Sequence, residues 1–134
     1  MNFKVGLNSK FFLTVGGAAL LALGILGFIG IIGPTPGQSI FGSLWWFDNG
    51  ENIAHTVLGV AGLASLWLLT PKLQTYLVGA LGVLGVVVGL YSGVISTALL
   101  GSNLESPADT LLHLVVGGWA LLTFYTEWKG MAKS

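Results

Sequence analysis

The sequence predicts an all-α integral membrane protein with four transmembrane helices, arranged as two parallel-repeat helical hairpins in a single membrane domain, 1–134. Three observations predict this fold. Hydrophobic residues make up 54% of the chain and charged residues only 7%, whereas about a quarter of the residues of soluble domains are charged. Four apolar stretches are long enough for a membrane helix, which needs about 20 residues. A short motif of an acid, a histidine and a glycine occurs twice.

Prolines and polar segments separate the four predicted spans. Their approximate bounds, in chain order, are 11–33, 50–70, 73–100 and 106–128. Pro34 is expected to end the first span, because proline cannot continue a helix and favours extended backbone before it. Pro71 marks a tight turn between the second and third spans. Asp48 and Ser106 are the expected N-caps of the second and fourth spans, with Pro107 as the first helical residue of the fourth.

The segment between the first two spans, about 34–49, is rich in aromatic residues and its apolar part is too short to cross a membrane. Trp45 and Trp46 favour the headgroup level, so we interpret them as anchors of a loop that lies in the membrane interface. A surface that docks a partner or contacts a pigment is the alternative interpretation.

Glycines recur at every fourth position of the third span, at Gly85, Gly89 and Gly93. Small residues at this spacing let two membrane helices approach closely. The pattern therefore predicts a helix-packing face, either within the bundle or in a homo-oligomer.

Charged residues separate between the two ends of the predicted bundle. All the lysines fall at one end: Lys4, Lys10, Lys72, Lys129 and Lys133. Most acids fall at the other end, namely Asp48, Glu51, Glu105 and Asp109, with Glu127 as the exception. Because positively charged segments stay on the cytoplasmic side, this distribution predicts that both termini are cytoplasmic.

The repeated motif belongs to a longer internal match at an offset of 58 residues. Ala22–Gly27 aligns without a gap on Ala80–Gly85. The match predicts a duplication with repeat units at about 11–70 and 69–128. Since each unit contains two helices and returns the chain to its starting side, the units are predicted to be related by an axis along the membrane normal.

Each copy of the motif carries its three residues four positions apart. The first copy is Glu51, His55 and Gly59, and the second copy is Asp109, His113 and Gly117. Positions four apart lie on one side of a helix, so each copy presents a carboxylate, an imidazole and bare backbone in a line. The chain has no other histidine, and a polar group inside a span indicates function by default.

A structural interpretation and a tetrapyrrole interpretation of the two copies both stay open. In the first, each carboxylate completes a capping box and interacts favourably with the helix dipole, while the histidine bonds to it or to a loop carbonyl. In the second, His55 and His113 are axial ligands of haem or of a chlorophyll-type pigment. The carboxylates then orient the imidazoles, and Gly59 and Gly117 leave room for the flat macrocycle.

A metal site is the third interpretation. The two histidines together with Glu51 and Asp109 have the ligand types that suit zinc or iron. The spacing differs, however, from the Glu-x-x-His of di-iron helix bundles.

Composition and motifs also exclude several function classes. Without arginine and with zero net charge, the chain has no footprint for nucleic acid and no polybasic lipid patch. The absence of cysteine excludes disulfides and thiolate metal sites. The sequence has no metalloprotease motif and no nucleophile spaced from a base, and no charge lies at the midpoint of a span. We therefore expect neither an enzyme nor a transporter.

Two stretches around the copies carry a family pattern. They read as Asn52, His55 and Gly59, and as Ala108, Asp109, Leu112, His113 and Gly117. These stretches resemble a bacterial and cyanobacterial family of small four-helix membrane proteins, the domain of unknown function 4383. The resemblance implies a four-span fold in a bacterial cytoplasmic or thylakoid membrane, and it implies no activity.

Taken with the composition, these patterns predict a non-enzymatic accessory or structural subunit of a larger bacterial membrane complex. Its expected partners are the lipid bilayer and other membrane subunits or further copies of the chain, and no nucleic acid. Binding of a tetrapyrrole or a metal through His55 and His113 is the alternative.

Overall fold

The computed structural model describes residues 6–133. The helices of this part of the chain are α1 (Ser9–Phe28), α2 (Asn49–Leu68), α3 (Pro71–Leu90) and α4 (Ala108–Met131). A π-helical turn, Tyr91–Ile95, continues α3; the loops hold two short 3-10 turns, Pro36–Gln38 and Gly42–Leu44, and a hairpin of β1 (Ala98–Leu99) and β2 (Ser102–Asn103). Lys4, assigned above to the end of the bundle that carries the lysines, lies outside the described residues.

Three helices are long and apolar enough to cross a membrane: α1, α3 with its π-helical turn, and α4. This confirms the predicted all-α class and fits an integral membrane protein. Helix α2 is 20 residues long, like α1, but Glu51, Asn52 and His55 in its first two turns lower its mean hydropathy. A fourth span therefore stays a prediction.

Polar side chains cap the N-terminal ends of the first three helices. The caps are Asn8 for α1, Asp48 for α2 and Thr70 for α3. Each accepts a hydrogen bond from a backbone N–H of the first turn, which would otherwise lack a partner. Asp48 is the cap predicted from the sequence.

The start of α4 differs from the prediction that Ser106 is its cap. The helix begins at Ala108, and its N-cap position is Pro107, which offers no side-chain acceptor. The carboxylate of Asp109 instead accepts the backbone N–H of Glu105 at 2.8 Å. An acid inside the first turn thus accepts a hydrogen bond from the backbone of the segment that leads into the helix.

Helices α1 and α3 both end earlier than predicted. The end of α1 is Phe28 rather than the proline segment, because Gly30 adopts φ of 85°. The N–H of Ile31 then bonds back to the carbonyl of Leu26 at 3.2 Å, which is the Schellman arrangement of a helix C-terminus. Helix α3 widens into the π-helical turn and stops at Ser96, whose extended backbone leads into the β1–β2 hairpin.

Helix α1 packs against α2, and α3 packs against α4, with glycines at both contacts. A methyl group added at Gly59 would lie 2.5 Å from the backbone nitrogen of Leu21 in α1. One added at Gly117 would lie 2.7 Å from the backbone nitrogen of Val86 in α3. Both helix pairs therefore approach closely enough to require glycine.

The predicted stripe of small residues in the third span faces α4. A methyl group added at Gly85, Gly89 or Gly93 would lie between 2.9 and 3.1 Å from its nearest α4 atom. The stripe thus serves packing inside the second helix pair.

Equivalent contacts in the two helix pairs do not follow one offset. They are Gly59 with Leu21 and Gly117 with Val86, and Leu63 with Gly17 and Leu121 with Gly82. The residues of α2 and α4 in these pairs are 58 apart, but those of α1 and α3 are 65 apart. The gapless match of Ala22–Gly27 on Ala80–Gly85 is therefore seven residues, about two helical turns, out of register with the contacts.

A small apolar core joins the two helix pairs. It consists of Phe12 and Leu13 of α1, Val78 of α3 and Ala120 of α4. The ring of Phe12 meets that of Trp119 edge to face, with centroids 4.6 Å apart. Because Phe12 lies in the first turn of α1, this core is close to the end of the bundle that carries the lysines.

Candidate functional site

Both copies of the motif lie at one end of the bundle, which we call the acid end. The carboxyl group of Glu51 is close enough to those of Asp109, Asp48 and Glu105 to interact with their charges. The two imidazoles are likewise close enough to interact. Folding therefore brings together the residues that the sequence placed in two separate copies.

In the second copy, both carboxylate oxygens of Asp109 have hydrogen-bond partners. Asp109 is 1% exposed; one carboxylate oxygen accepts the indole N–H of Trp45 at 3.0 Å, and the other accepts the N–H of Glu105. The Nδ1 atom of His113 lies 2.7 Å from the backbone carbonyl of Asp109. Since a carbonyl only accepts, we assign the proton to Nδ1, which leaves Nε2 with a free lone pair.

The first copy is different. Glu51 is 5% exposed, and neither of its carboxylate oxygens has a hydrogen-bond partner among the described residues. The same is true of Nδ1 of His55 and of the side-chain oxygens of Asn52 and Thr56. Buried groups of this kind are normally satisfied by protein or by ordered water. The unmet hydrogen-bonding capacity of the acid end is thus concentrated around the first copy.

A row of aromatic rings connects the first loop to the first copy. Ring centroids lie 5.3 Å apart for Phe41 and Trp45, 5.1 Å for Trp45 and Phe47, and 4.9 Å for Phe47 and His55. Trp45 therefore contacts the Phe47 ring that packs on His55, while its N–H bonds to Asp109. Trp46 is half-buried beside it.

Asp48, the cap of α2, also bonds to the loop between α3 and α4. One carboxylate oxygen accepts the N–H of Glu51 at 2.9 Å, and the other accepts the N–H of Asn103 in β2 at 2.7 Å. The side chain of Asn103 also donates to Glu105 at 2.9 Å. Burial raises the pKa of the Glu105 carboxyl, and the nearby charge of Asp109 raises it further.

The glycines of the two copies do not face an open space. The backbone of α1 occupies the space beside Gly59, and the backbone of α3 occupies the space beside Gly117. The expectation that these glycines clear room for a macrocycle is therefore not met by the packing. A tetrapyrrole ligated by either histidine would have to approach from another direction.

The metal interpretation receives no support from the arrangement of the side chains. Within residues 6–133, no group of three or more His, Cys, Asp or Glu side chains is placed to hold a metal ion. Each oxygen of Asp109 instead accepts a hydrogen bond from an N–H donor.

The sequence reasoning missed a polar cluster at the opposite end, which we call the lysine end. The carboxylate of Glu127 in α4 accepts the N–H of Ser9 at 2.9 Å and the hydroxyl of Thr75 at 2.7 Å. These bonds join α4 to the starts of α1 and α3. Placement at a helix N-terminus is favourable for an acid. The available signal was that Glu127 alone departs from the separation of charges.

Comparison of the chain with known protein families, with curated proteins and with solved structures finds no match. Membership of the family that the motif residues resemble therefore stays a prediction, and the function is inferred from the site itself.

Proposed function

We propose that the protein is a non-enzymatic accessory or structural subunit of a larger bacterial membrane complex. The observation that carries this proposal is the clamp at the acid end. Trp45 of the first loop bonds to Asp109 of α4, and Asp48 of α2 bonds to Asn103 of the second loop. Asp109, one of the polar residues that the sequence marked as a chemical site, thus helps to hold the two helix pairs together.

The proposal includes four spans in two duplicated hairpins, with the lysine end in the cytoplasm. The length of α2, which equals that of α1, supports a fourth span, and the matching glycine contacts in both pairs support the duplication. The grouping of Lys10 with Lys72 around one cleft supports a common cytoplasmic end.

Apolar side chains on the loops of the acid end support a protein partner. Ile40 is 72% exposed, Leu44 81% and Leu100 99%. Leu100 also has φ of 50° at the tip of the β1–β2 hairpin, a conformation that is uncommon for residues other than glycine. Exposed apolar groups on loops support an interaction site.

Photo-crosslinking in the native membrane tests this function. A photoreactive residue at Leu44 or Leu100 is expected to form a covalent adduct with a second protein of defined mass. The matched control is Val83, an exposed residue in the middle of α3, which should react only with lipid. Reaction with lipid alone at all three positions would contradict a subunit role.

Labelling tests the orientation. Cysteines introduced at Ser43 and Ser102 are expected to react with an impermeant reagent from outside the cell. A cysteine at Lys133, at the lysine end, should react only after the membrane is opened. The reverse pattern would contradict the cytoplasmic assignment of the lysines.

Axial ligation of a tetrapyrrole is the second candidate function. It is favoured by one observation, the bond between Nδ1 of His113 and the carbonyl of Asp109. Such a bond fixes the imidazole ring and leaves Nε2 for a metal. The absorption spectrum of protein isolated from its native membrane tests the candidate: a Soret-type band that His113→Gln abolishes would support it, and a colourless wild-type protein would contradict it.

A further inference from the structure

A cleft of about 430 Å³ opens at the lysine end, at the opposite end of the bundle from both motif copies. Its walls come from the first turns of α1 and α3 and the last turns of α4, including Pro71 and Gly130. This volume lies in the range of about 300 to 1,000 Å³ that is typical of small-molecule sites. The cleft can therefore hold a ligand the size of a lipid headgroup.

Two lysines give the cleft its charge. Lys10 and Lys72 both line it, and neither ammonium group has a hydrogen-bond or ion-pair partner among the described residues. The carboxylate of Glu127 also lines the cleft, but it is occupied by the N–H of Ser9 and by the hydroxyls of Ser9 and Thr75. One carboxylate against two free ammonium groups leaves the cleft with a net positive charge.

We propose that this cleft binds the headgroup of an anionic phospholipid, with its phosphate between Lys10 and Lys72. Ammonium groups bind phosphate through charge-assisted hydrogen bonds. The net positive charge favours an anionic lipid, such as a phosphatidylglycerol, over a zwitterionic one.

The surroundings of the two lysines favour a lipid over a free phosphate. Each lysine precedes an exposed apolar side chain: Phe11 is 39% exposed and Leu73 is 50% exposed. Both residues lie in the first turns of helices that are long and apolar enough to cross a membrane. Acyl chains of a lipid whose headgroup fills the cleft therefore extend along apolar helix surface, which a soluble phosphate does not use.

A diffuse attraction of anionic lipids to the whole lysine end is the competing explanation, and Lys129 separates the two. This lysine belongs to the same end but does not line the cleft; its ammonium group lies 5.8 Å from the centre of the Tyr125 ring. A diffuse field weakens equally when any one of the three lysines is neutralised. A binding site in the cleft weakens only for Lys10 and Lys72.

The test is native mass spectrometry of the full-length protein in detergent with added phosphatidylglycerol or phosphatidylcholine. Wild-type protein is expected to retain phosphatidylglycerol preferentially. Each of K10Q and K72Q should lower its affinity roughly fivefold, and the double variant about 25-fold, on the scale of one lysine near an anionic headgroup. K129Q, the matched control, should bind like wild type. The three lysines are exposed in the structure, and circular dichroism verifies that the variants are folded.

Three results would overturn the proposal. Equal retention of both lipids by wild type would show that the cleft does not select charge. An equal loss in K129Q would show diffuse attraction. Displacement of the lipid by millimolar glycerol phosphate would show that the site takes a soluble phosphate and that the acyl chains contribute nothing.

Discussion

The two copies of the motif contain the same types of residue at the same spacing, yet their polar atoms are in different situations. In the second copy, both oxygens of Asp109 and Nδ1 of His113 have partners. In the first copy, both oxygens of Glu51 and Nδ1 of His55 have none among the described residues. The difference teaches that the motif alone does not give its acid partners: the loop residues that reach Asp109 supply them.

The neighbouring positions repeat this contrast. The hydroxyl of Thr110, next to the second copy, lies 2.8 Å from that of Ser92 in the π-helical turn that continues α3. Asn52, at the equivalent position next to the first copy, faces Gly27 of α1, which has no side chain to offer. The second helix pair therefore closes its contact with a hydrogen bond, while the first leaves the amide oxygen of Asn52 unpaired.

The largest expected effect tests what the copies share, which is close packing at their glycines. We expect Gly59→Ala and Gly117→Ala each to destabilise the protein by about 3 kcal/mol, because the added methyl meets backbone that cannot rotate away. The matched control is Gly118→Ala, where no atom lies within 4 Å of the added methyl. It should stabilise by roughly 0.5 to 1 kcal/mol through helix propensity. Thermal unfolding in detergent measures all three, and a tolerant Gly59 with a sensitive Gly117 would show that only the second pair packs tightly.

The next effect separates the acids. Asp109→Asn replaces one of the two carboxylate oxygens that accept hydrogen bonds with an amide NH2 group. It should lower the free energy of unfolding by roughly 1.5 to 3 kcal/mol, the range for a hydrogen bond to a charged group. Glu51→Gln replaces a buried carboxyl group whose oxygens have no hydrogen-bond partner among the described residues, so it should be neutral or stabilising. Comparing the unfolding midpoints of the two amide variants measures the contrast. An equal loss in both would mean that Glu51 has a bound partner in the membrane.

A smaller effect separates the histidines. His113→Gln disturbs the bond to the carbonyl of Asp109 and should cost about 1 kcal/mol, whereas His55→Gln loses contact with the ring of Phe47 but no hydrogen bond. Thermal unfolding of the two variants and of the wild type, each without a bound pigment, measures the difference. If His55→Gln is the more destabilising substitution, Nδ1 of His55 has a partner such as an ordered water.

The smallest effect is the pH dependence at Glu105. Because the pKa of this carboxyl is raised in the folded state, its contribution to stability is complete below the ordinary pKa and is lost as the pH rises through the folded value. Wild type and Glu105→Gln should therefore unfold at similar temperatures in acid, and the variant should be slightly more stable at neutral pH. Identical pH profiles would show that the carboxyl is fully solvated.

The sequence predicts the helices well where the signal is local. Long apolar runs place α1, α3 and α4, and Asp48 is identified as a cap by its position before a helix. The local signal at the end of α1 was Gly30 rather than the later prolines, and a glycine within an apolar run does not reveal its positive φ. At the start of α4, Ser106 was the expected cap, but Asp109 inside the helix accepts the backbone N–H of Glu105 instead.

The site itself was predictable only in part. The pairing of two acid-histidine copies at one end follows from the repeat, and the structure does gather them. The bond between Trp45 and Asp109 joins residues that are far apart in the sequence, so no spacing rule identifies it. The packing partners of Gly59 and Gly117 depend equally on how the helices slide past each other, which composition does not encode.

The seven-residue difference in register has a consequence for symmetry. Between the contacting positions Gly27 and Asn52 the first hairpin has a longer connection than the second has between Ser92 and Thr110. That additional length belongs to the loop that carries Trp45 across to the other hairpin. The first hairpin contributes the N–H donor of Trp45 and the second contributes the carboxylate acceptor of Asp109, so the two hairpins have different roles in this bond and are not interchangeable.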